Sequence, residues 1–208
     1  MPEPFSWSEL YRRRRETAAQ FGPIFGLRIV RRVREVLLSC VANGDHVLEV
    51  GAGDRSMGQA LLAARSDVVY RSLDIDPHGK HDYRQWSEVD ESFDVVFAFE
   101  VIEHLPLEEI PGWLQQMANL LRPGGRLLLS TPNTFYPPAY LRDATHRTPL
   151  CYDELAGLVS GTGLQVEQIV RIYHDPLHRK LLRRYVFGWL FRLIGIDFAR
   201  QIVLVARR

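Results

Sequence analysis

The residues with the clearest chemical potential lie where short apolar runs end. Gly51 and Gly53 follow one such run, and glycines at a strand-to-helix turn let the backbone approach a ligand where a side chain would collide. Asp74 comes 25 residues after Glu49, at the end of the next run, and can accept two hydrogen bonds from a ribose diol. Glu100 ends a third run. Three carboxylates around one pocket suit a positively charged ligand and would repel the pyrophosphate of a dinucleotide.

The segments that must position these residues alternate between strands and helices. Apolar runs predict strands at His46–Val50, 68–73, 81–84 (a brief edge strand), Phe93–Phe99, 126–130, 165–173 and 201–206. Helical spacing predicts helices from Ser6 or Ser8 to Phe21, at 24–39, Ser56–Ala64, from Pro106 or Leu107 to Leu121, at Tyr152–Ser160 and at 175–195. Repeated strand–helix units predict an α/β fold with a doubly wound sheet, whose ligands bind at the carboxyl ends of the strands.

Four motifs, in this order, resemble those of class I S-adenosylmethionine-dependent methyltransferases, in the small-molecule branch of methyltransferase types 11 and 23. They are VLEVGAG at 47–53, LDID at 73–76, FDVVFAFEVIEHL at 93–105 and LRPGGRLLLSTPN at 121–133. The resemblance covers residues 45–133 and extends with less force to residue 208. It implies a Rossmann-like, seven-stranded, mostly parallel sheet with an antiparallel last strand and helices on both faces.

The same resemblance implies a cofactor, S-adenosylmethionine, whose sulfonium and ammonium suit the carboxylates. The residues that it assigns to cofactor binding are Glu49, Gly51, Ala52, Gly53, Asp74, Ile75 and Glu100. Glu49 either orients the turn or meets the ammonium of the ligand, directly or through water. The chain departs from the family at Asp54-Arg55, where many members have a third glycine. That absence also argues against a nicotinamide oxidoreductase, because a dinucleotide fold uses the third glycine for close helix packing.

Histidines are the candidates for a catalytic base. Transfer from a sulfonium is an in-line displacement, so positioning can supply most of the catalysis, and a base helps where the acceptor is a hydroxyl. His146 follows the fifth predicted main strand, where the resemblance places a histidine in many small-molecule members. His104 follows the fourth strand and recurs in the family whatever the substrate. Structural roles for both histidines, and catalysis without a base, stay open, and no metal site is predicted.

The composition of the 208 residues, 46% hydrophobic and 25% charged, is that of a soluble globular chain. The net charge of +1 argues against a dedicated nucleic-acid binder, as does FEVI at 99–102, where amino-group methyltransferases carry an Asn/Asp-Pro-Pro-aromatic signature. Two cysteines cannot build a disulfide scaffold, which favours the reducing cytoplasm. The longest uncharged stretch, 127–141, contains three prolines and is too short to span a bilayer.

The charge is unevenly distributed along the chain. Residues 1–40, 41–173 and 174–208 carry net charges of +4, −9 and +6, so we predict an N-terminal helical cap (1–40) followed by a methyltransferase domain (41–208). Within that domain, the basic amphipathic helix at 175–195 carries aromatic residues and can lie in a membrane interface. The alternative is that this helix docks on the sheet or on a second subunit of a homodimer.

The sequence therefore predicts a cytoplasmic enzyme, with peripheral membrane contact through its basic helices. It transfers a methyl group from S-adenosylmethionine to a small-molecule acceptor, at a hydroxyl of a glycan-, quinone- or lipid-linked intermediate. The competing hypothesis is a catalytically inactive S-adenosylmethionine-binding protein with a regulatory or scaffold role. No nucleic-acid partner is predicted.

Overall fold

The computed structural model describes residues 7–208, apart from the side chains of Trp7 and Leu177, so the predicted cap at Ser6 lies outside the described residues. Its strands are β1 (Arg28–Val30), β2 (His46–Val50), β3 (Val69–Leu73), β4 (Phe93–Phe99), β5 (Leu121–Pro132), β6 (Gln165–Ile172) and β7 (Gln201–Arg207). They form one sheet in the order β1-β6-β7-β5-β4-β2-β3. Only β7 runs antiparallel to its neighbours. The prediction of a mostly parallel, Rossmann-like sheet with an antiparallel last strand is confirmed.

Helices cover both faces of this sheet. They are α1 (Trp7–Phe21), α2 (Val33–Cys40), α3 (Ser56–Ala64), α4 (Ile110–Leu120), α5 (Pro137–Leu141), α6 (Tyr152–Ser160), α7 (Leu177–Leu181) and α8 (Gly188–Leu193). Val96 and Ala98 of β4 pack with α1, α4 and α6, whereas Val95 and Phe97 pack with α2 and α3. Because both faces are buried, the central strands are continuously apolar, which made them recognisable in the sequence.

The N-terminal segment differs from the prediction of one helix over 24–39. A 3-10 turn at Ile24–Gly26 is followed by strand β1 and only then by α2. The buried guanidinium of Arg171 in β6 donates hydrogen bonds to the carbonyls of Phe25 and Leu27, at 2.9 to 3.1 Å. Those bonds, together with the parallel pairing of β1 with β6, hold the backbone extended and override its helical periodicity.

The first 40 residues pack against the rest of the chain. Helix α1 lies on α6, where Arg14 contacts Asp153 at 3.2 Å and Glu154 at 3.0 Å. The hydroxyl of Tyr152 donates to the carbonyl of Gly22 at 2.8 Å. Because β1 also belongs to the sheet, the N-terminal part is more than a cap, and the division at residue 40 stays a prediction.

The predicted edge strand at 81–84 is reduced to a single bridge between Leu73 and Tyr83. The carboxylate of Asp82 accepts hydrogen bonds from the backbone N–H of Ser72 at 2.8 Å and from its hydroxyl at 2.7 Å. A side chain thus takes the place of a backbone partner, and the ladder stops. The seventh strand of the sheet is β1 at the opposite edge.

The basic segment at 175–195 is not the one continuous helix that we predicted. Helix α7 runs into a π-helical turn at Leu182–Val186, and Phe187, with φ −104° and ψ 5°, separates that turn from α8. Apolar side chains along this segment are exposed, so no packed face enforces a single helix. Among the residues that the structure describes, no helix is long and apolar enough to cross a membrane.

Candidate active site

The carboxyl ends of β2, β3, β4 and β5 meet at one edge of the sheet, which we call the rim. The backbone N–H of Gly51 donates to the carbonyl of Leu73 at 2.8 Å, and that of Gly53 donates to Oδ2 of Asp74 at 2.7 Å. The backbone N–H of Glu100 donates to the carbonyl of Ser130 in β5 at 3.2 Å. The structure therefore brings together, at the rim, the two glycines and two of the three carboxylates singled out from the sequence.

The turn at 51–53 needs its glycines for two different reasons. Gly51 has φ +70°, and a Cβ there would stand 2.4 Å from Cγ2 of Val101. Gly53 has φ +48° and open space around it. Ala52, between them, is buried, and its N–H donates to the carbonyl of Leu73 at 3.4 Å. Gly51 thus permits the turn to pack against β4, and Gly53 leaves room for a ligand beside the backbone.

Arg55 belongs to the Asp54-Arg55 pair, where the resemblance implies a third glycine in many family members. Its φ is +59°, the left-handed conformation that glycine favours, at a cost of about 1 to 2 kcal/mol for a residue with a side chain. The guanidinium donates to the carbonyl of Lys80 at 2.8 Å and lies 5.4 Å from the ring centroid of Tyr70. The turn therefore keeps a glycine-like shape, stabilised by contacts of the arginine side chain.

Asp74 stands at the tip of β3 with both carboxylate oxygens in use. Oδ2 accepts from Gly53, and Oδ1 accepts from the N–H of Asp76 at 2.9 Å. Each oxygen keeps a further lone pair that can accept from a hydroxyl. The next side chain, Ile75, is 86% exposed. A polar acceptor beside an uncovered apolar surface can bind a sugar together with a flat ring.

Glu49 is buried and directed toward α3. Its Oε2 accepts hydrogen bonds from the N–H of Gly58 at 3.1 Å and from the hydroxyl of Tyr70. Burial raises the pKa of Glu49 to about 7. These contacts hold the turn against the first part of α3, while a contact of Glu49 with the cofactor stays a prediction.

Glu100 adopts a strained backbone at the end of β4. It has φ +56°, which is uncommon for a residue with a side chain and recurs at functional sites. The hydroxyl of Ser130 donates to its Oε1 at 2.8 Å. Burial raises the pKa of Glu100, although that hydrogen bond opposes the shift.

Sequence reasoning missed Glu103, in the 3-10 turn at Ile102–His104. Its side chain is fully buried, and neither carboxylate oxygen has a hydrogen-bond partner among residues 7–208. Burial, and secondarily the charge of Glu100, raises the pKa of Glu103 to about 8. The backbone N–H groups of Arg147 and Thr148 donate to its carbonyl, at 2.7 and 3.1 Å, so the loop that carries His146 closes over this turn. An acidic residue directly before His104 in the 93–105 motif was the available signal.

The hydrogen bonds of His146 define its tautomer. Nδ1 lies 2.8 Å from the carbonyl of Tyr140, which can only accept, so Nδ1 carries the proton and Nε2 the lone pair. Nε2 lies 4.0 Å from Oε1 of Glu103 and 3.9 Å from Oδ2 of Asp143. A hydrogen bond from Thr145 holds the pKa of Asp143 below its usual value. Nε2 makes no hydrogen bond within the described residues, and the imidazole is 7% exposed.

His104 lies beside His146, with ring centroids 4.9 Å apart in an edge-to-face arrangement. Its Nδ1 is 3.0 Å from the hydroxyl of Thr145, which itself donates to Asp143 at 2.7 Å. That hydroxyl therefore accepts from Nδ1–H of His104, and the lone pair of His104 is again on Nε2.

Glu103, His104 and His146 form a compact group that we call the acid–histidine cluster. Each offers an atom of a metal-binding type, and the three atoms lie within 4.8 Å of one another. The sequence predicted no metal here, and removal of metal tests that prediction below. Neighbouring acids and neutral imidazoles are equally a proton-transfer arrangement.

The rim fits S-adenosylmethionine by the chemistry of its side chains and by its shape. The open space at Gly53, the sugar-type acceptor Asp74 and the uncovered Ile75 lie together, with Glu100 at the neighbouring strand end. The carboxylates of the rim would repel the pyrophosphate of a dinucleotide. Fold and rim are those of the class I S-adenosylmethionine-dependent methyltransferases.

Comparison with known proteins agrees with this class. A family model described as a methyltransferase domain matches residues 12–169, more than half of the chain. The chain belongs to this family, and S-adenosylmethionine is its cofactor.

Two curated relatives are similar over part of the chain. A ubiquinone biosynthesis O-methyltransferase of Aeromonas salmonicida is 27% identical over 157 residues, which are 67% of this chain and 62% of that protein. A probable S-adenosylmethionine-dependent methyltransferase of Mycolicibacterium smegmatis is 33% identical over 153 residues, 63% of this chain and 56% of that protein. The chain thus spans about 60% of the length of these relatives.

Solved structures share the fold at low identity. An S-adenosylmethionine-dependent methyltransferase of Archaeoglobus fulgidus superposes with a TM-score of 0.64 at 15% identity, covering 98% of this chain and all of that one. A mycolic acid cyclopropane synthase, solved in complex with SAH and CTAB, gives a TM-score of 0.58 at 13% identity, over 84% of this chain and 82% of that one. At these identities the likeness establishes the fold alone.

Proposed function

We propose that this chain transfers the methyl group to a hydroxyl oxygen of a small-molecule acceptor, a glycan-, quinone- or lipid-linked intermediate, with His146 as the general base. The observation that carries this proposal is the free Nε2 of His146, which is nearly buried and lies beside the rim. His104 is the second candidate, because its Nε2 also carries a lone pair in the same cluster.

The chain's own groups can accept and stabilise the proton of an acceptor hydroxyl. When bound, S-adenosylmethionine supplies a methyl group on a positively charged sulfur. Nε2 of His146 removes the hydroxyl proton, while the carbonyl of Tyr140 holds the ring in the required tautomer. The resulting imidazolium then lies 3.9 Å from the carboxylate of Asp143, which favours the charged form.

Glu103 supports this base from the buried side of the cluster. With its pKa at about 8, its carboxyl group is mostly neutral at pH 7, so it adds no negative charge that would favour a proton on Nε2 of His146 before the acceptor hydroxyl arrives. It stands 4.0 Å from Nε2 and can bind an imidazolium once one forms. We propose it as a positioning residue rather than as a group that touches the acceptor.

An oxygen acceptor is also supported by the relatives. Ubiquinone biosynthesis O-methyltransferases from several bacteria are 27 to 31% identical to this chain over 143 to 172 residues. Their name indicates oxygen as the atom methylated in those proteins, which favours a hydroxyl here. The acceptor itself has to be identified by experiment.

The basic segment at 175–195, with the adjoining Ile196, supports an acceptor at a membrane surface. Large apolar side chains are exposed along it: Leu181, Leu182, Tyr185, Val186, Phe187, Trp189, Leu190, Leu193, Ile194 and Ile196. Arginines and a lysine lie among them. We propose that this segment contacts anionic lipid from the cytoplasmic side, because apolar and basic side chains together bind such surfaces. Sedimentation with anionic but not neutral vesicles supports this contact, whereas a stable homodimer that buries Trp189 contradicts it.

Two measurements test the proposed function. The unfolding temperature should rise with S-adenosylhomocysteine and not with NAD. Asp74→Asn should weaken the binding of S-adenosylhomocysteine about tenfold or more, as the loss of a charged hydrogen-bond acceptor does.

Transfer of labelled methyl groups into a lipid extract should fall about 100-fold or more in His146→Gln, with the affinity for S-adenosylhomocysteine unchanged. His174→Gln, at an exposed histidine, is the matched control. Ligand binding without any turnover would favour the inactive regulatory or scaffold protein.

A further inference from the structure

A second pocket lies between the N-terminal segment and the basic segment. Its volume is about 310 Å³, and its wall includes four guanidinium groups and several aromatic rings. We call it the arginine pocket; its defining residues are Arg28, Arg171, Arg184, Arg192, Phe191 and Phe198. None of these residues belongs to the rim or to the acid–histidine cluster, and the described residues that line the pocket include no carboxylate.

The positive charges of this pocket are not balanced by the protein. Arg171 is paired with the buried Asp197 at 2.8 Å, and the remaining acceptors of Asp197 are occupied by Asn133 and by the N–H of Phe198, each at 2.8 Å. Arg28, Arg184 and Arg192, all exposed, form no ion pair and no side-chain hydrogen bond with residues 7–208. Three guanidinium groups thus line one pocket without a carboxylate partner among the described residues, although that of Arg184 also lies 5.6 Å from the ring centroid of Tyr185.

The charges repel each other at short range. Burial lowers the pKa of Arg171, the ion pair with Asp197 opposes that shift, and the charges of Arg184 and Arg192 add to it. Guanidinium groups nevertheless stay protonated in proteins, so the repulsion is relieved by an anion rather than by loss of a proton. Several guanidinium groups around one space match a phosphate or diphosphate, whose oxygens accept paired N–H bonds, better than a single carboxylate.

Apolar surface adjoins these charges. The rings of Phe191 and Phe198 pack edge-to-face with centroids 5.6 Å apart, and Phe191 is only half-buried. The same segment continues into the exposed apolar side chains proposed above to contact lipid. A ligand that combines a phosphoryl group with an apolar chain would find both parts matched.

The pocket is also connected to the catalytic edge of the sheet. The amide of Asn133, directly after β5, donates to Asp197 at 2.8 Å and to the carbonyl of Ala199 at 2.9 Å. The backbone N–H of Asp197 donates to the carbonyl of Phe135 at 2.8 Å. Since Ser130 of the same strand donates to Glu100 at the rim, β5 joins the two sites through one rigid element.

We propose that the arginine pocket binds the phosphate or diphosphate group of an amphiphilic molecule, whose apolar part lies along Phe191 and Phe198. The pocket then anchors a phospholipid or a lipid-diphosphate-linked acceptor, and β5 connects this anchor to the rim. This role in catalysis rests on the proposed function, whereas the binding itself is independent of turnover.

Calorimetric titration of the full chain with three probes tests the pocket: farnesyl diphosphate, farnesol and inorganic pyrophosphate. We expect farnesyl diphosphate to bind most tightly, and Arg184→Gln/Arg192→Gln to weaken it about tenfold or more, as the loss of charge-assisted bonds does. Arg32→Gln/Arg34→Gln removes the same charge at exposed positions outside the pocket and should stay within about twofold of the unmodified chain. Binding of S-adenosylhomocysteine should be equal in all variants, which also shows that they are folded.

The possible results separate the two proposals. Equal weakening in both double variants would show non-specific charge attraction and overturn the pocket. Pyrophosphate that binds as tightly as farnesyl diphosphate would overturn the apolar part of the proposal. Binding of anionic vesicles without binding of farnesyl diphosphate, at a level that Arg184→Gln/Arg192→Gln leaves unchanged, would overturn the phosphoryl site. An intact farnesyl diphosphate site in a chain that does not bind S-adenosylhomocysteine would refute the proposed function and leave this inference standing.

Discussion

Replacement of Glu103 by glutamine should stabilise the protein at alkaline pH. Glu103 is fully buried without a hydrogen-bond partner in the described chain, and its pKa rises from 4.5 to about 8. A carboxyl group with a raised pKa in the folded state keeps its proton longer there than in the unfolded state. Folding stability is therefore unaffected below about pH 4.5, falls as the pH rises, and is lowest above about pH 8.

The size of the effect follows from that shift. At about 1.4 kcal/mol per pKa unit, the ionised carboxylate costs at most about 5 kcal/mol at pH 9. Relaxation and water entry reduce such penalties, so we expect Glu103→Gln to gain about 2 kcal/mol or more at pH 9 and close to nothing at pH 5. Glu49, with its pKa at about 7, also lowers folding stability as the pH rises. Because it is present in both proteins, its effect cancels in the difference between them.

Urea unfolding, followed by tryptophan fluorescence at several pH values, measures this difference. The control Glu108→Gln changes an exposed carboxyl group in the same region, and its stability curve should run parallel to that of the unmodified chain. A difference between Glu103→Gln and the unmodified chain that does not change between pH 5 and pH 9 would refute the reasoning. Methyl transfer should fall in Glu103→Gln, because glutamine cannot ionise to a carboxylate beside the imidazolium of His146.

Three further predictions test the turn, the buried ion pair and the acid–histidine cluster. Gly51→Ala should cost about 2 kcal/mol or more in thermal unfolding and weaken S-adenosylhomocysteine, since its Cβ would meet Val101 at 2.4 Å and φ is +70°. Asp197→Asn should cost about 3 to 5 kcal/mol in urea unfolding, because it leaves the buried charge of Arg171 unpaired; an unchanged midpoint would contradict this. Chelation with EDTA should leave methyl transfer unchanged, whereas a loss restored by a divalent cation would show that the cluster holds a metal ion.

Much of the rim could be predicted from the sequence because its residues sit beside strong local signals. A strand buried on both faces is an uninterrupted apolar run, and in a parallel sheet its last residue lies at the ligand-binding edge. Asp74 and Glu100 each follow such a run, so their strand ends were placed before any contact was known. The conformation of Arg55 could not be predicted, because an arginine with φ +59° depends on its contacts with Lys80 and Tyr70.

The N-terminal and C-terminal segments show where local patterns fail. Residues 28–30 have helical periodicity, yet they form a strand because Arg171, more than 140 positions later, binds the carbonyls before them. The basic segment has the spacing of one long helix, yet it breaks at Phe187, because most of its apolar side chains are exposed although Phe191 packs on Phe198.

The sequence by itself determined the order of strands and helices in the core, the glycine turn and the class of cofactor, since each depends on neighbouring residues. Only the tertiary structure decided which distant side chains meet. Glu103 and His146 are 43 positions apart, and Arg171 and Asp197 are 26 apart. Burial raises the pKa of Glu103 and makes the pairing of Arg171 with Asp197 necessary, and burial is a property of the packed chain that no local pattern contains.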